Sequence, residues 1–169
     1  MAGKFFDEWV VGERIEHEIR RTVTETDNLL FSTMTHNPQP LHLDVEAAKA
    51  SGYGQILVNS TFTFSLLVGL SVGDTTLGTL VANLGFDKVV TPKPVFIGDT
   101  LRAVSEIKEL RASNSRPDAG IVTFVHEMWN QRDEVVCRCE RSAPDQALGL
   151  TGGPCGTIPQ VGRCWREKA

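Results

Sequence analysis

The period of the apolar residues changes at Gly73, and this change strongly limits the folds open to the chain. Before Gly73, the segment 61–72 is the longest apolar stretch of the chain, interrupted only by Thr, Ser and Gly, which is typical of a buried helix. After it, apolar and polar residues alternate, which predicts β-strands over 77–90, 100–110, 120–129 and 134–142. Residues 14–23 alternate in the same way and predict a first strand. This order indicates an α+β fold in which a curved antiparallel sheet wraps one long apolar helix.

Local signals place the helix ends and the turns. Residues 24–27 form a capping sequence ahead of a helix that should continue to a proline-containing loop. Asp44 is a good N-cap for a short helix over 45–50, and Ser60 is expected to cap the longer helix over about 61–71. Turn residues that separate the later strands lie in two segments: 113–120 and 130–133.

The chain is expected to form a single domain over residues 1–143. From 144 to 169, glycines and prolines leave no periodic apolar face. We expect this C-terminal tail to be irregular or poorly ordered, and its sequence suggests no function.

Charge and composition exclude several classes of partner and location. The net charge is −4 and no basic run is present, which argues against nucleic acid or an anionic membrane as a partner. The apolar segment 61–72 is too short to span a bilayer, and the first residues lack the apolar core of a signal peptide. The spacing of Cys137, Cys139, Cys155 and Cys164 favours reduced thiols over disulfides. We therefore expect a cytoplasmic protein.

A stiffened polar loop is the candidate active site. It runs from Phe31 to Asp44 and contains Pro38 and Pro40. Each proline fixes its own φ and disfavours helix at the residue before it, so Asn37 and Gln39 should be extended. His42 follows at a set distance from both, and imidazole is the side chain that titrates nearest neutral pH.

This loop resembles the signature of the MaoC-like dehydratases, also called (R)-specific enoyl-CoA hydratases, which have the hotdog fold. Their pattern is Gly-Asp-x-Asn-Pro-Leu-His-x-Asp, and Pro40-Leu41-His42 and Asp44 match it. Segments 54–60 and 93–101 also resemble the family, and the likeness covers roughly residues 4–143. The Asn-x-Gln-Pro-Leu-His version and segment 115–124 resemble the subgroup that hydrates mesaconyl-CoA or itaconyl-CoA.

The resemblance implies a hydro-lyase that adds water to 2-enoyl-CoA thioesters, or removes it. It makes His42 the catalytic base and places the site between two subunits, so we expect a homodimer or a larger even assembly. Coenzyme A would be part of the substrate, and no separate cofactor is expected. The four histidines have no metal-binding spacing, so no metal is expected either.

The chain departs from the signature at the catalytic acid. Asn37 stands where the family has Asp, Gln39 where it has Asn, and His36 where it has Gly. The Asn37 amide can orient water but cannot accept its proton. Either His42 then makes both proton transfers, or the substrate supplies a group. A neutral amide would tolerate an anionic acyl group that an aspartate would repel. The opposite interpretation is that Asn37 marks an inactive site.

Other candidate residues are assigned by position. The enolate oxygen would be bound by free backbone N–H groups at the start of the apolar helix, from Asn59 and Ser60, where the helix dipole favours negative charge. Lys93, Arg111 and Arg116 are candidates for the CoA phosphates, although each taken singly is more typical of a solvated surface. His36 is a candidate second imidazole at the mouth of the site, although a solvent-facing role is the commoner one.

Two other functions fit the same sequence. A hotdog acyl-CoA thioesterase would need a carboxylate or polarised water aimed at the thioester carbon, and it would release a free thiol. A non-catalytic acyl-CoA-binding subunit would keep the pocket and lose turnover with the missing aspartate.

Overall fold

A computed structural model describes residues 3–114 and 116–147. Within these ranges the chain begins with a short 3₁₀ helix at Phe6–Glu8. The remaining elements, in chain order, are β1 (Arg14–Thr22), α1 (Glu25–Met34), α2 (Pro40–Leu43), α3 (Val45–Ala50), α4 (Ser60–Thr75), β2 (Gly85–Val90), β3 (Thr100–Ala112), β4 (Ala119–Trp129) and β5 (Val135–Gln146).

The five strands form one antiparallel sheet in the order β1-β3-β4-β5-β2. Helix α4 packs against β1, β3, β4 and β5, and Leu67 from its middle is fully buried. Leu67 belongs to one core cluster with side chains such as Leu101 of β3 and Met128 of β4. This arrangement confirms the predicted α+β hotdog architecture, a sheet around one long apolar helix.

Helix α4 is longer than predicted and is capped by a different residue. Ser60 is its first residue, and Asn59 is the N-cap because its Oδ1 accepts the N–H of Thr61 at 3.0 Å. The helix continues to Thr75, beyond the predicted end near residue 71. In the described part of the chain, no helix is both long and apolar enough to cross a membrane.

The first half of the predicted strand 77–90 is not a strand. Gly78 has a φ of +85°, a left-handed conformation that interrupts extended structure. The following residues run beside β5 through single contacts, such as the N–H of Val81 donating to the Pro144 carbonyl at 2.9 Å. Of the predicted strand, only β2, Gly85–Val90, pairs with β5 as a strand, with a register shift between Asp87 and Val90.

The last strand extends into the predicted irregular tail. Residues 144–146 belong to β5, and Asp145 is fully buried, where its Oδ2 accepts the indole N–H of Trp9 at 3.1 Å. Residues 148–169, which hold Cys155 and Cys164, lie outside the described residues. Cys137 and Cys139 are free thiols, in line with the prediction, and both are buried. Burial raises their pKa values to about 11 and about 12.

Candidate active site

The proline-containing loop is ordered by its own short-range hydrogen bonds. Asn37 Oδ1 accepts the N–H of Gln39 at 3.1 Å, and the N–H of Asn37 donates to the Ser32 carbonyl at 2.9 Å. Pro40 is the first residue of α2, where its fixed φ suits a helix and its missing N–H costs nothing. His36 has a φ of +53°, which glycine adopts without strain and other residues rarely do. The loop thus delivers His42 from the first turn of α2.

His42 is fixed by hydrogen bonds on its ring and its backbone. Its Nδ1 lies 2.7 Å from the Leu57 carbonyl oxygen, and its own carbonyl accepts Nδ2–H of Asn28 at 2.8 Å. A carbonyl oxygen only accepts, so Nδ1 must carry the proton. In the neutral ring, Nε2 therefore keeps its lone pair. That is the tautomer required of a general base.

His42 lies on the wall of a cavity of about 250 Å³. The lining combines polar and apolar side chains in equal numbers: His42, Tyr53, Leu57, Val58, Ser60, Thr63, Thr91, Pro92, Lys93, Pro94, Val95 and Val136. Among these described lining residues there is no aspartate or glutamate. The cavity therefore offers an imidazole, hydroxyls and one ammonium group, but no carboxylate that could serve as a proton donor.

The start of α4 forms one side of this cavity. Ser60 lines it and is the first helical residue, a position whose N–H has no partner within the helix. The N–H of Asn59 is already used, because it donates to Asn28 Oδ1 at 2.9 Å. The predicted oxyanion role therefore fits Ser60 and does not fit Asn59, which holds the helix start in place.

Asn28 is a structural residue of the site that the sequence analysis missed. It is 2% exposed, and its amide joins the His42 carbonyl to the N–H of Asn59. It therefore fixes the distance between the candidate base and the start of α4. No sequence signal pointed to this role, because Asn28 directly follows the polar residues 25–27 of the same helix.

Most of the other predicted site residues do not line the cavity that contains His42. Asn37 and Gln39 are not among the cavity-lining residues, and His36 is exposed. On β4, Trp129 pairs with Val135, the residue before the cavity-lining Val136. Arg111 pairs with Ile121, eight residues from Trp129 and so roughly 27 Å away at the rise of a β-strand. Arg116 lies in the adjoining hairpin and pairs with Asp118. Lys93 is the one predicted basic residue that the structure places on the cavity wall.

Two further histidines lie in a buried network at the other end of α4. His17 Nδ1 is 2.9 Å from Asp74 Oδ2, and its Nε2 is 2.7 Å from Ser105 Oγ. Ser105 Oγ is also 2.6 Å from Nδ1 of His126. Burial, and then the nearby positive charges of Arg141 and His17, lower the pKa of His126 to about 3. We call these four residues the buried histidine network.

No group of three or more His, Cys, Asp or Glu side chains within residues 3–114 and 116–147 is arranged to hold a metal ion. In the buried histidine network, both ring nitrogens of His17 are already engaged, by Asp74 and by Ser105.

Comparison with known proteins identifies the family. The model of the MaoC like domain matches residues 7–129. The chain is 36% identical to mesaconyl-CoA hydratase of Cereibacter sphaeroides, over 95% of the chain and 46% of that protein. It is 33% identical to beta-methylmalyl-CoA dehydratase of Chloroflexus aurantiacus, over 79% of the chain and 38% of that protein. The chain thus spans less than half the length of these curated relatives.

A solved structure supports the same assignment. The MaoC-like dehydratase from Rhodospirillum rubrum superposes with a TM-score of 0.77 and 30% identity, covering 88% of this chain and 100% of the other. Because the family model, the curated relatives and the solved structure agree, the chain belongs to the MaoC-like domain family.

Proposed function

We propose that this protein is a hydro-lyase that adds water to the double bond of a 2-enoyl-CoA thioester and catalyses the reverse dehydration. The observation that carries the proposal is the His42 tautomer. Its Nδ1–H is bound to the Leu57 carbonyl, so in the neutral ring the lone pair is on Nε2, on a residue of the cavity wall. The curated relatives are named as a hydratase and a dehydratase of CoA thioesters, which supports the same chemistry.

The steps follow from the groups around the cavity. His42 Nε2 takes a proton from water as the oxygen bonds to the β-carbon of the enoyl group. The electron pair of the double bond moves toward the thioester, whose oxygen becomes an enolate. The Ser60 N–H and the positive end of the α4 dipole stabilise that negative charge. The α-carbon then receives a proton, which completes the addition of water.

The proton for the α-carbon is assigned to His42. The described cavity wall has no carboxylate, and the Asn37 amide cannot supply one. The imidazolium formed in the first step carries the proton that is needed in the second. A carboxylate on the substrate itself is the alternative donor.

We infer that the acyl group is short, branched and dicarboxylic, as in mesaconyl-CoA or itaconyl-CoA. A cavity of about 250 Å³ lies below the usual range of roughly 300–1,000 Å³ for small-molecule sites, which suits a short group. Lys93 contributes positive charge to the wall. Asn37 is not on the cavity wall of its own chain, but it stands where the family has an aspartate, which would repel an anion.

A screen of crotonyl-, mesaconyl- and itaconyl-CoA tests the proposal. Hydration removes the absorbance of the conjugated enoyl thioester and leaves the thioester bond intact. Release of free thiol would identify a thioesterase instead. Binding without either change would identify a non-catalytic acyl-CoA-binding subunit.

We also propose a homodimer or a dimer of dimers. The edge strand β2 leaves Phe86, Val89 and Val90 partly exposed, and the cavity of one chain is open to solvent. A partner that covers β2 would bury this apolar surface and could bring Asn37 or Arg116 of the second subunit toward the site. Light scattering measures the mass, and full activity of a monomer at nanomolar concentration would exclude a site shared between subunits.

Location and cofactor use are part of the same proposal. A cytoplasmic location is supported by Cys137 and Cys139, which are buried as free thiols. The reaction as written needs no cofactor apart from the coenzyme A of the substrate. Activity that survives exhaustive dialysis against a chelator would support this point, and activity restored by an added metal ion would contradict it.

A further inference from the structure

Helix α1 buries polar side chains and exposes apolar ones. Asn28 and Ser32, four residues apart and therefore on the same face, are 2% and 0% exposed. Leu29, Leu30 and Met34 of the same helix are between 49% and 79% exposed. Burying those apolar side chains instead would stabilise the fold more, because a buried polar group needs partners to offset the loss of water. The polar inner face therefore calls for an explanation from the groups that it binds.

The Asn28 amide bridges the segment that carries His42 and the segment that begins α4. Its Nδ2–H donates to the His42 carbonyl at 2.8 Å, and its Oδ1 accepts the N–H of Asn59 at 2.9 Å. A direct hydrogen bond joins the same two segments through earlier residues of each, from the Leu57 N–H to the Leu41 carbonyl at 3.0 Å. Both partners of the amide are backbone groups. Asn28 thus determines how far the backbone of His42 lies from the start of α4.

Ser32 binds the same helix start through the side chain of Asn59. Its Oγ accepts Nδ2–H of Asn59 at 3.3 Å. The other end of that amide, Oδ1, accepts the N–H of Thr61 at 3.0 Å and so caps α4. The carbonyl of Ser32 accepts the N–H of Asn37 at 2.9 Å. One face of α1 therefore binds the segment of the candidate base, the first turn of α4 and the proline-containing loop.

The proposed reaction requires this alignment. His42 acts on the water that adds to the β-carbon, and Ser60 N–H acts on the thioester oxygen, so one substrate must meet both groups at once. A displacement of about 1 Å at a reacting group can cost about 100-fold in rate. Asn28 and Ser32 are not among the cavity-lining residues. They can therefore act on the reaction only through the groups that they bind.

We propose that Asn28 and Ser32 are positioning residues, which hold the His42 imidazole and the N-terminus of α4 at the separation that the addition of water requires. This inference rests on the proposed function for the reaction that it affects. The cavity wall itself is unchanged when either side chain is lost. Loss of either residue should therefore lower kcat and leave KM nearly unchanged.

Steady-state kinetics with crotonyl-CoA and mesaconyl-CoA test this split. Asn28→Leu keeps the size of the side chain and removes both hydrogen bonds, so kcat should fall by about tenfold or more while KM stays within about twofold. Ser32→Ala removes one longer hydrogen bond and should lower kcat by about threefold. If Asn28→Leu does not fold, Ser32→Ala decides the question, and an unchanged kcat in it would overturn the proposal.

His17→Ala is the matched control. His17 is also buried and also makes two side-chain hydrogen bonds, but at the other end of α4. This variant should lower the urea midpoint about as much as Asn28→Leu does, and its kcat per folded molecule should stay near wild type. An equal fall of kcat in the two variants would show that the loss follows from lower stability, and would overturn the positioning role.

The tautomer of His42 reports the geometry without requiring turnover. At about pH 8, where an ordinary imidazole is neutral, the ¹⁵N chemical shifts of the wild-type ring should show a protonated Nδ1 and an unprotonated Nε2. This follows from the 2.7 Å contact between Nδ1 and the Leu57 carbonyl. Asn28→Leu frees the His42 carbonyl, so the shifts should move toward a mixture of the two tautomers. His17→Ala should leave them unchanged.

The outcomes separate this inference from the proposed function. If wild-type protein hydrates an enoyl thioester, an unchanged kcat in Asn28→Leu would overturn the positioning role, and so would a rise in KM as large as the fall in kcat. If it hydrates none, the tautomer decides. A change in Asn28→Leu would then support the positioning of His42 although the proposed activity is wrong, and no change would overturn both.

Discussion

The two ends of α4 place histidines in opposite situations. At its N-terminal end, His42 is partly exposed, one ring nitrogen is bound to a backbone carbonyl, and the residue lines a cavity. At its C-terminal end, His17 is 5% exposed and both of its ring nitrogens have side-chain partners. His42 therefore has one ring nitrogen free beside a cavity, whereas both ring nitrogens of His17 are used by side-chain partners.

The comparison shows that residues with the composition and spacing of a catalytic triad do not by themselves form an active site. Ser105, His17 and Asp74 have the composition and the short distances of a nucleophilic triad. The Ser105 side chain, however, is fully buried and also hydrogen-bonded to His126. No substrate can reach its oxygen without unfolding the sheet. The buried histidine network joins β1, β3, β4 and α4, so its role is structural.

The largest effect is expected at the cavity end. His42→Ala should lower turnover by about 100-fold or more, because a positioned general base contributes at least that much. The melting temperature should change little, since the side chain is only half-buried. Steady-state kinetics with crotonyl-CoA and a thermal melt measure both. Unchanged turnover would remove His42 from the mechanism.

The opposite pattern is expected at the network end. His17→Ala removes two hydrogen bonds from a buried position and should lower the free energy of unfolding by about 2–3 kcal/mol. Turnover per folded molecule should remain near wild type. Urea denaturation tests this, with Glu18→Ala on the exposed side of the same strand as the control, expected within about 0.5 kcal/mol. A loss of turnover without a loss of stability would make the network functional.

The network also predicts a pH dependence of stability. The pKa of His126 is near 6.5 when unfolded and about 3 when folded, so the unfolded state takes up a proton first as the pH falls. Above pH 6.5, neutral His126 makes its full contribution to the free energy of unfolding. About 2 kcal/mol of this contribution should be lost by about pH 5. His126→Gln should lack that loss. Denaturation curves of both proteins across this range provide the comparison.

Asp145 has the opposite effect on the pH dependence of stability. The stability curve of the wild-type protein alone therefore cannot isolate the contribution of His126. Burial raises the pKa of Asp145 to about 6 from 3.8, so its contribution to stability falls as the pH rises through that interval. The difference between wild type and His126→Gln cancels this contribution. A difference that is independent of pH would show that His126 is not held neutral.

A smaller effect is expected from Asn37→Asp. The aspartate has the same shape and can keep the hydrogen bond from the Gln39 N–H, so the change is mainly one of charge. The ratio of kcat/KM for mesaconyl-CoA to that for crotonyl-CoA should fall by about tenfold, through like-charge repulsion. The pH profile should move to higher pH, because a nearby carboxylate favours protonated imidazole. Asn37→Ala adds no charge and should leave the ratio unchanged; an equal fall for both substrates would exclude the electrostatic explanation.

The smallest effect is expected from removing residues 148–169. Their sequence has no periodic apolar face, and β5 ends at Gln146. Truncation after Ala147 should leave solubility and turnover close to wild type. Insoluble protein after truncation would show that these residues contribute to the fold.

The sequence predicted the fold well because its signals are local and strong. The long apolar segment and the alternating strands identified α4 and three strands of the sheet almost to their ends. The failure at 77–84 has a physical cause: alternation was preserved, but Gly78 adopts a left-handed φ and the segment only borders β5. The alternation of apolar and polar residues alone cannot predict where a strand is interrupted.

Three of the predicted residues line the cavity: His42 from the motif, Ser60 from the helix start, and Lys93. Asn37 and Gln39, the motif residues nearest to His42 in sequence, do not. Asn28 was missed because its role depends on contacts that only the folded chain creates. The assignment of Asn59 was wrong for the same reason, since its N–H is satisfied by Asn28.

The central claim is that water is added to the acyl chain by a base at the N-terminal end of α4. Incubating wild-type protein and His42→Ala with crotonyl-CoA and mesaconyl-CoA in ¹⁸O-labelled water, followed by mass spectrometry, tests it most directly. The account predicts an intact thioester with one ¹⁸O at the β-carbon in wild type, and almost none in His42→Ala. Label in a free carboxylic acid together with released thiol, or equal labelling by the two proteins, would contradict it.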